Sequence, residues 1–227
     1  MATNGVGLAS VLAAAYAVRV PLALGDNYPF KAGGVFALTM LIAIGYVRGG
    51  HPFDRFGPAN QITALRAGLV ALAAGVLGES FRPAWATSVA VAGLLVTMLD
   101  GVDGWTARRT GMSSAFGARF DMETDALLIF VLSGLAWQSG KAGAWILFAG
   151  LLRYLFVGAT WAARWMRRPL PPSQRRRAVC ALQIAGLSLV MLPIVAPPLS
   201  VWLSAALLVM LTSSFVVDTR WLWQHRE

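Results

Sequence analysis

Four aspartates lie at spacings that would bring their carboxylates together on two neighbouring helices. Asp100 and Asp103 are three residues apart near the end of one apolar segment, and Asp121 and Asp125 are four residues apart near the start of the next. Residues three or four apart share a helix face, so two antiparallel helices would present all four carboxylates to each other. Glu123 points away from that face, and we assign it no role in the site.

Clustered carboxylates near the membrane require a neighbouring positive charge that offsets the cost of their burial. On insertion scales, a carboxylate within the hydrocarbon costs on the order of 2.5 to 3.5 kcal/mol. Convergent carboxylate oxygens are the ligands that suit Mg²⁺ or Mn²⁺, and four of them can hold two ions about 3.5 to 4 Å apart, as in enzymes that transfer phosphoryl groups. The spacing therefore predicts a site for two divalent cations.

The elements that position these residues are predicted to be transmembrane helices. Of the 227 residues, 57% are hydrophobic and 13% are charged, which is about half the charged share of a soluble domain. Apolar stretches near the length of about 20 residues that a bilayer requires occur at 8–24, 33–47, 61–78, 84–101, 120–138, 143–163, 178–196 and 199–217. We therefore expect an all-α integral membrane protein with several spans, and we exclude a soluble domain.

The net charge of +9 is explained by membrane topology without a nucleic-acid partner. Basic residues are concentrated in alternate gaps between the apolar segments, most of all in 164–177. The positive-inside rule places such gaps in the cytoplasm, and the gap between the aspartate pairs is one of them. We expect a site facing the cytoplasm, in a bacterial inner membrane. The lone cysteine, Cys180, lies in an apolar run and is interpreted as a packing residue.

The aspartates belong to a longer pattern of fixed spacing. Its eight positions are Asp100, Asp103, Gly104, Ala107, Arg108, Gly117, Asp121 and Asp125. This pattern resembles the complete signature of the CDP-alcohol phosphotransferase family, and eight such matches at one start site arise by chance with odds on the order of 10⁻¹⁰. The resemblance extends more loosely over 58–217. It implies a six-helix core over 58–227, preceded by an N-terminal hydrophobic extension, 1–57, of one or two helices.

The resemblance also implies roles for individual residues. The four aspartates would be ligands of two divalent cations, and Asp125 would also be the general base. The stretch from Pro58 to Arg66 is similar to a family motif at the CDP site. The implied contacts to the nucleotide are Thr63, Arg66, Gly104, Arg108 and Ser114, while the small residues Gly104, Ala107 and Gly117 would let a helix or a flat ligand approach closely.

Two arginines are candidates for binding the second substrate, the acceptor. Arg153 lies within an apolar segment, and intramembrane cations are commonly functional. Arg175 opens the next segment, within a run of three arginines. Relatives with phosphorylated acceptors use basic residues in these regions to hold the phosphate. Alternatively, Arg153 pairs with a structural carboxylate, and the run of arginines anchors the chain at the cytoplasmic surface.

Three functions are consistent with these features. The first is transfer of a phosphatidyl group from CDP-diacylglycerol to a polar alcohol, such as glycerol 3-phosphate or inositol phosphate, with release of CMP, in phospholipid biosynthesis. The second reverses the roles, with CDP-choline or CDP-ethanolamine as donor and a lipid alcohol as acceptor. The third is transport of divalent cations through the carboxylate cluster. The family resemblance implies a homodimer.

Overall fold

The computed structural model describes residues 2–50, 57–110 and 114–226, which form an all-helical bundle. Within its helices, the side chains of residues 2–4, 46–50, 58, 103–105, 107, 108, 110 and 115 lie outside the described part. The helices are α1 (Ala2–Arg19), α2 (Tyr28–Gly50), α3 (Pro58–Gly75), α4 (Pro83–Thr110), α5 (Ala115–Gln138), α6 (Leu147–Ala162), α7 (Gln174–Met191) and α8 (Leu199–Gln224). Short 3₁₀ turns, Ala144–Ile146 and Arg164–Arg167, flank α6.

The predicted all-α fold is confirmed, since each of the eight apolar segments coincides with a helix. Within the described ranges, four spans are long and apolar enough to cross a membrane: Tyr28–Gly45, Pro83–Val102, Ala144–Ala162 and Leu199–Gln224. Polar and charged residues lower the mean hydropathy of α3, α5 and α7.

The N-terminal helices α1 and α2 pack against α3. A Cβ at Gly75 would lie 2.8 Å from Tyr28 Cε2, so the small residue allows α2 to approach α3 closely. Beyond the end of α3, the Lys31 ammonium donates to Glu79 Oε1 at 2.7 Å and to the Leu77 carbonyl at 2.9 Å. Since α3 runs away from the aspartates toward Glu79, these contacts fasten the extension at the opposite end of the bundle.

Helix α7 lies between α4, α5 and α8. A Cβ at Gly93 of α4 would meet the Ser188 Oγ of α7 at 2.1 Å, and a Cβ at Gly186 would meet Leu207 of α8 at 2.5 Å. Glycine is therefore required for the present spacing of α7 from both neighbours. Helices α3, α5 and α7 begin at the end of the bundle where α4 ends, and the site lies there.

Candidate active site

Arg66 of α3 lies at the centre of the aspartate cluster. Its side chain is completely buried, and its two terminal nitrogens donate to Asp121 Oδ1 and Asp125 Oδ1 of α5. Nη2 also lies 3.1 Å from Asp100 Oδ1 of α4. The cation that the clustered carboxylates require is thus supplied by a third helix. The predicted contact of Arg66 to the nucleotide stays a prediction.

The aspartate cluster presents the oxygen ligands that a divalent cation prefers. Oxygen atoms of Asp100, Asp121 and Asp125 lie within 4.8 Å of one another, and carboxylate oxygens are preferred ligands of Mg²⁺ and Mn²⁺. The side chains of Asp100 and Asp121 are 40% and 34% exposed, whereas that of Asp125 is 14% exposed. The cluster is therefore open on the side of Asp100 and Asp121 and closed behind Asp125.

Part of the predicted site lies outside the described residues. Helix α4 includes Asp103, Gly104, Ala107 and Arg108, whose side chains lie outside the described part of the structure. Their predicted roles as a fourth metal ligand and as contacts to the substrate stay predictions.

One face of α3 adds polar residues beside Arg66. Thr63, three residues before Arg66, is buried and donates to the Ala59 carbonyl at 3.2 Å. Asn60, a further three residues back, is also buried, and its Oδ1 would lie 2.8 Å from a Cβ at Gly117. The motif from Pro58 to Arg66 includes Asn60, but the sequence analysis assigned it no role, although its spacing of three from Thr63 places it on the same face.

Ser114 and Gly117 form the start of α5. The Ser114 hydroxyl accepts a hydrogen bond from the Gly117 amide at 3.0 Å, which is the usual arrangement of a helix N-cap. A Cβ at Gly117 would displace the Asn60 side chain, whose Oδ1 lies over this position. Ser114 thus caps the helix that carries Asp121 and Asp125, and Gly117 leaves room for Asn60. The predicted roles of Ser114 and Gly117 at the substrate stay predictions.

Helix α7 closes the site behind Asp125. Cys180 Sγ lies 3.6 Å from Asp125 Oδ2. Sequence analysis interpreted this cysteine as a packing residue, and nothing in the sequence indicated that it would face an aspartate 55 positions away. The two oxygens of Asp125 therefore have different neighbours, a guanidinium at Oδ1 and a thiol at Oδ2.

Arg153 of α6 is paired with Glu123 of α5. Its Nη2 donates to Glu123 Oε1 at 2.5 Å, and its Nη1 lies 2.8 Å from the Met122 sulfur. Glu123 points away from the aspartate cluster, in agreement with its helical spacing. The structure therefore contains the ion pair that was the alternative interpretation of Arg153, while an acceptor role for this arginine stays a prediction.

Arg175 of α7 is held by α8. Its Nη2 donates to Asp218 Oδ1 at 2.5 Å and its Nη1 to the Ser214 carbonyl at 2.8 Å. Arg176 Nη1 lies 3.1 Å from the same Asp218 oxygen. Sequence reasoning missed Asp218, although a single carboxylate in an apolar helix is a signal of a buried partner. The acceptor role predicted for Arg175 stays a prediction.

Comparison with known proteins identifies the class. The family model described as CDP-alcohol phosphatidyltransferase matches residues 57–215, so the chain belongs to this family, as the signature indicated. Family membership and the four apolar helices also indicate a multi-pass integral membrane protein.

One relative and the solved structures complete the comparison. Cholinephosphotransferase 1 from Danio rerio is 37% identical over 84 residues, which are 35% of this chain and 22% of the relative. The chain thus matches about a fifth of that relative's length. No solved structure shows a significant match.

Proposed function

We propose that the protein transfers a phosphatidyl group from CDP-diacylglycerol to the hydroxyl of a polar alcohol and releases CMP. Glycerol 3-phosphate and inositol phosphate are the leading acceptors. The observation that carries the proposal is the convergence of Asp100, Asp121 and Asp125, with oxygens within 4.8 Å of one another, around an open face. Family membership defines the reaction type, and this cluster suits the diphosphate of a CDP-alcohol when it holds cations.

The carboxylates would hold two divalent cations, Mg²⁺ or Mn²⁺, together with Asp103. Bound there, the ions would offset the negative charge that develops on the phosphates as CMP departs. Asp125 is the proposed general base and would take the proton of the attacking hydroxyl. The low exposure of Asp125 limits access of bulk water to this carboxylate.

The nucleotide is proposed to lie over the starts of α3 and α5 and the end of α4. Thr63, Ser114 and Gly117 border this region from α3 and α5, and Gly104, Ala107 and Arg108 would complete it from α4. A guanidinium beside a diphosphate forms charge-assisted hydrogen bonds, which is the role proposed for Arg108.

An acceptor phosphate is proposed to bind Arg153 and Arg175. Each arginine is ion-paired at 2.5 Å, so a phosphate would compete with Glu123 for Arg153 and with Asp218 for Arg175. Asp218 is also paired with Arg176. Arg175 can therefore turn to a phosphate without leaving the buried Asp218 carboxylate uncompensated.

The second donor class has direct support from the comparison. The Danio rerio relative is named as a cholinephosphotransferase, which favours CDP-choline or CDP-ethanolamine with a lipid alcohol as the alternative pair of substrates. The shared segment covers 35% of this chain, so this likeness supports the alternative without displacing CDP-diacylglycerol. Transport of divalent cations is set aside, since the chain belongs to a family of transferases.

We further propose that the site faces the cytoplasm, where the arginine-rich gap 164–177 would lie by the positive-inside rule. Residues 1–57 are proposed to be an extension of the catalytic domain 58–227, which is supported by the start of the family match at residue 57. Assembly as a homodimer remains a proposal from the family. Location in a bacterial inner membrane also stays a prediction, and the relative from Danio rerio gives it no support.

Release of CMP by the purified protein in detergent tests the proposal. One set of reactions contains CDP-diacylglycerol and a panel of polar alcohols, and a second contains CDP-choline or CDP-ethanolamine with diacylglycerol, all with Mg²⁺ or Mn²⁺. We expect CMP in the first set, and Asp125→Asn should slow its release by about 10²- to 10⁴-fold. CMP release in the second set alone would show that the alternative donor class is correct. No CMP release in either set would contradict both donor assignments.

A further inference from the structure

Gln183 of α7 is a buried polar residue that the site described above does not use. Its side chain is completely buried, and neither its Nε2 nor its Oε1 has a hydrogen-bond partner among the residues that the structure describes. An unsatisfied buried polar group costs roughly 1 to 3 kcal/mol, and such groups are uncommon in native structures. The presence of Gln183 in the core therefore calls for an explanation.

The position of Gln183 connects it with Asp125. It lies three residues after Cys180, whose sulfur is 3.6 Å from Asp125 Oδ2, so both α7 residues share a face. Side chains on a helix lean toward its N-terminus, and the N-terminus of α7 is at the site end of the bundle. Helix geometry therefore predicts that the Gln183 carboxamide leans toward Asp125 from the closed side of the carboxylate cluster.

A second contact of α7 with the bundle interior lies further along the helix. Ser188, five residues after Gln183, is in close contact with Gly93 of α4. Gln183 thus lies between the contact of α7 with Asp125 and its contact with α4. Polar atoms at this junction face other helices and not the lipid.

Four serines also have orphaned hydroxyls, and they differ from Gln183. Their Oγ atoms are buried with no partner in the described part of the chain: Ser133, Ser139, Ser200 and Ser204. A serine hydroxyl can rotate onto a carbonyl of its own helix, and small residues are ordinary at contacts between membrane helices. Gln183 carries two donor hydrogens and an acceptor on a long side chain, so neither explanation applies to it.

We infer that Gln183 is a positioning residue for Asp125 and acts through one ordered water molecule between them. The Gln183 amide would donate to the water oxygen, and the water would donate to Asp125 Oδ2 and so orient the carboxylate. Buried waters typically make about three hydrogen bonds to polar groups that would otherwise be unsatisfied, which the amide, the carboxylate and the Cys180 thiol supply. This inference rests on the proposed role of Asp125 as general base.

Gln183→Met tests the inference, because methionine has nearly the same length and shape without the polar atoms. We expect kcat for CMP release to fall by about 10- to 100-fold, as for a misplaced catalytic group, with KM for the CDP-alcohol unchanged and Tm unchanged or raised. A merely structural glutamine would give a raised Tm and an unchanged kcat, and that result would overturn the inference.

Two further variants keep the test decisive. Gln183→Asn retains an amide and should keep more activity than Gln183→Met, and equal losses in the two variants would also contradict a positioning role. Ser204→Ala removes an orphaned hydroxyl away from the site and should leave kcat unchanged. Wild-type protein that releases no CMP would refute the proposed function and this inference with it, whereas active wild type with an equally active Gln183→Met refutes the inference alone.

Discussion

Arg66 Nη2 lies 3.1 Å from Asp100 Oδ1, and this contact joins α3 to α4 at the point where Arg66 also holds the two aspartates of α5. The guanidinium is completely buried. A buried charge is tolerated only when it is paired and hydrogen-bonded. Arg66 and the aspartates therefore stabilise one another, and we expect the cluster to be sensitive to the loss of this one side chain.

Arg66→Met should destabilise the protein markedly. Removing one partner of a buried ion pair costs about 3 to 5 kcal/mol, and the exposure of Asp100 and Asp121 places the expected loss near or below the lower end of that range. Thermal unfolding in detergent with a chelator measures the effect. Addition of Mg²⁺ should raise Tm more in the variant than in the wild type, since the carboxylates then lack their internal cation.

Arg153→Met provides the control for this prediction. Arg153 is also an ion-paired arginine, but it is bound to a single carboxylate. Its loss leaves one carboxylate without its cation instead of three, so it should lower Tm by less than the loss of Arg66. Equal Tm values for Arg66→Met and wild type would show that Arg66 does not stabilise the cluster.

The place of Arg66 illustrates what the sequence could and could not predict. The helices and the convergence of the aspartates follow from local periodicity and spacing, because residues three or four apart must share a helix face. Arg66 is 34 residues from Asp100 and 59 from Asp125, and its contact depends on how α3 packs against α4 and α5. The sequence predicted divalent ions as the positive charge in the cluster and did not indicate that the Arg66 guanidinium would lie among the carboxylates.

The same limit applies to the other contacts between helices. Cys180 meets Asp125, Arg175 meets Asp218, and Asn60 packs over Gly117, each through the register of one helix against another. Small residues such as Gly93 and Gly186 set this register by allowing close approach. Glycine is common in membrane helices in general, so these positions could not be distinguished from ordinary packing before the structure was known.

The ion pair between Lys31 and Glu79 predicts a dependence of stability on pH. The hydrogen bond from Lys31 lowers the pKa of Glu79. The folded-state pKa of Glu79 lies below the unfolded value of about 4.3. The ion pair therefore contributes fully to folding stability above about pH 4.3, and this contribution is lost as the pH falls through the folded-state pKa. Because Lys31 is partly exposed, we expect a contribution of about 1 kcal/mol.

Glu79→Gln isolates this effect. The amide keeps an oxygen that can accept from the Gly25 amide, as Glu79 Oε2 does at 3.0 Å, but it carries no charge. Thermal unfolding between neutral and acidic pH should show a steeper fall of Tm in the wild type than in the variant. Parallel curves for the two proteins would contradict an electrostatic contribution from Glu79.

Variants of Arg153 and Glu123 show whether Arg153 binds the acceptor or only forms a structural ion pair. If Arg153 binds the acceptor phosphate, Arg153→Ala should raise KM for a phosphorylated acceptor by about 10-fold or more, the loss expected for a charge-assisted hydrogen bond, and leave KM for the CDP-alcohol unchanged. Glu123→Gln removes the competing carboxylate and should lower or preserve the acceptor KM. Steady-state rates with each substrate varied in turn measure both effects, and equal changes in the two variants would indicate a structural pair only.

The most direct test of the account is the metal dependence of CMP release by the wild type and by Asp121→Asn. We expect a chelator to abolish release in the wild type and added Mg²⁺ or Mn²⁺ to restore it. In Asp121→Asn the concentration of ion required should rise by about 10- to 100-fold, the range seen when groups that support a metal ligand are lost. Full activity of the wild type in the chelator, or the same ion requirement in both proteins, would contradict a metal site built from these aspartates.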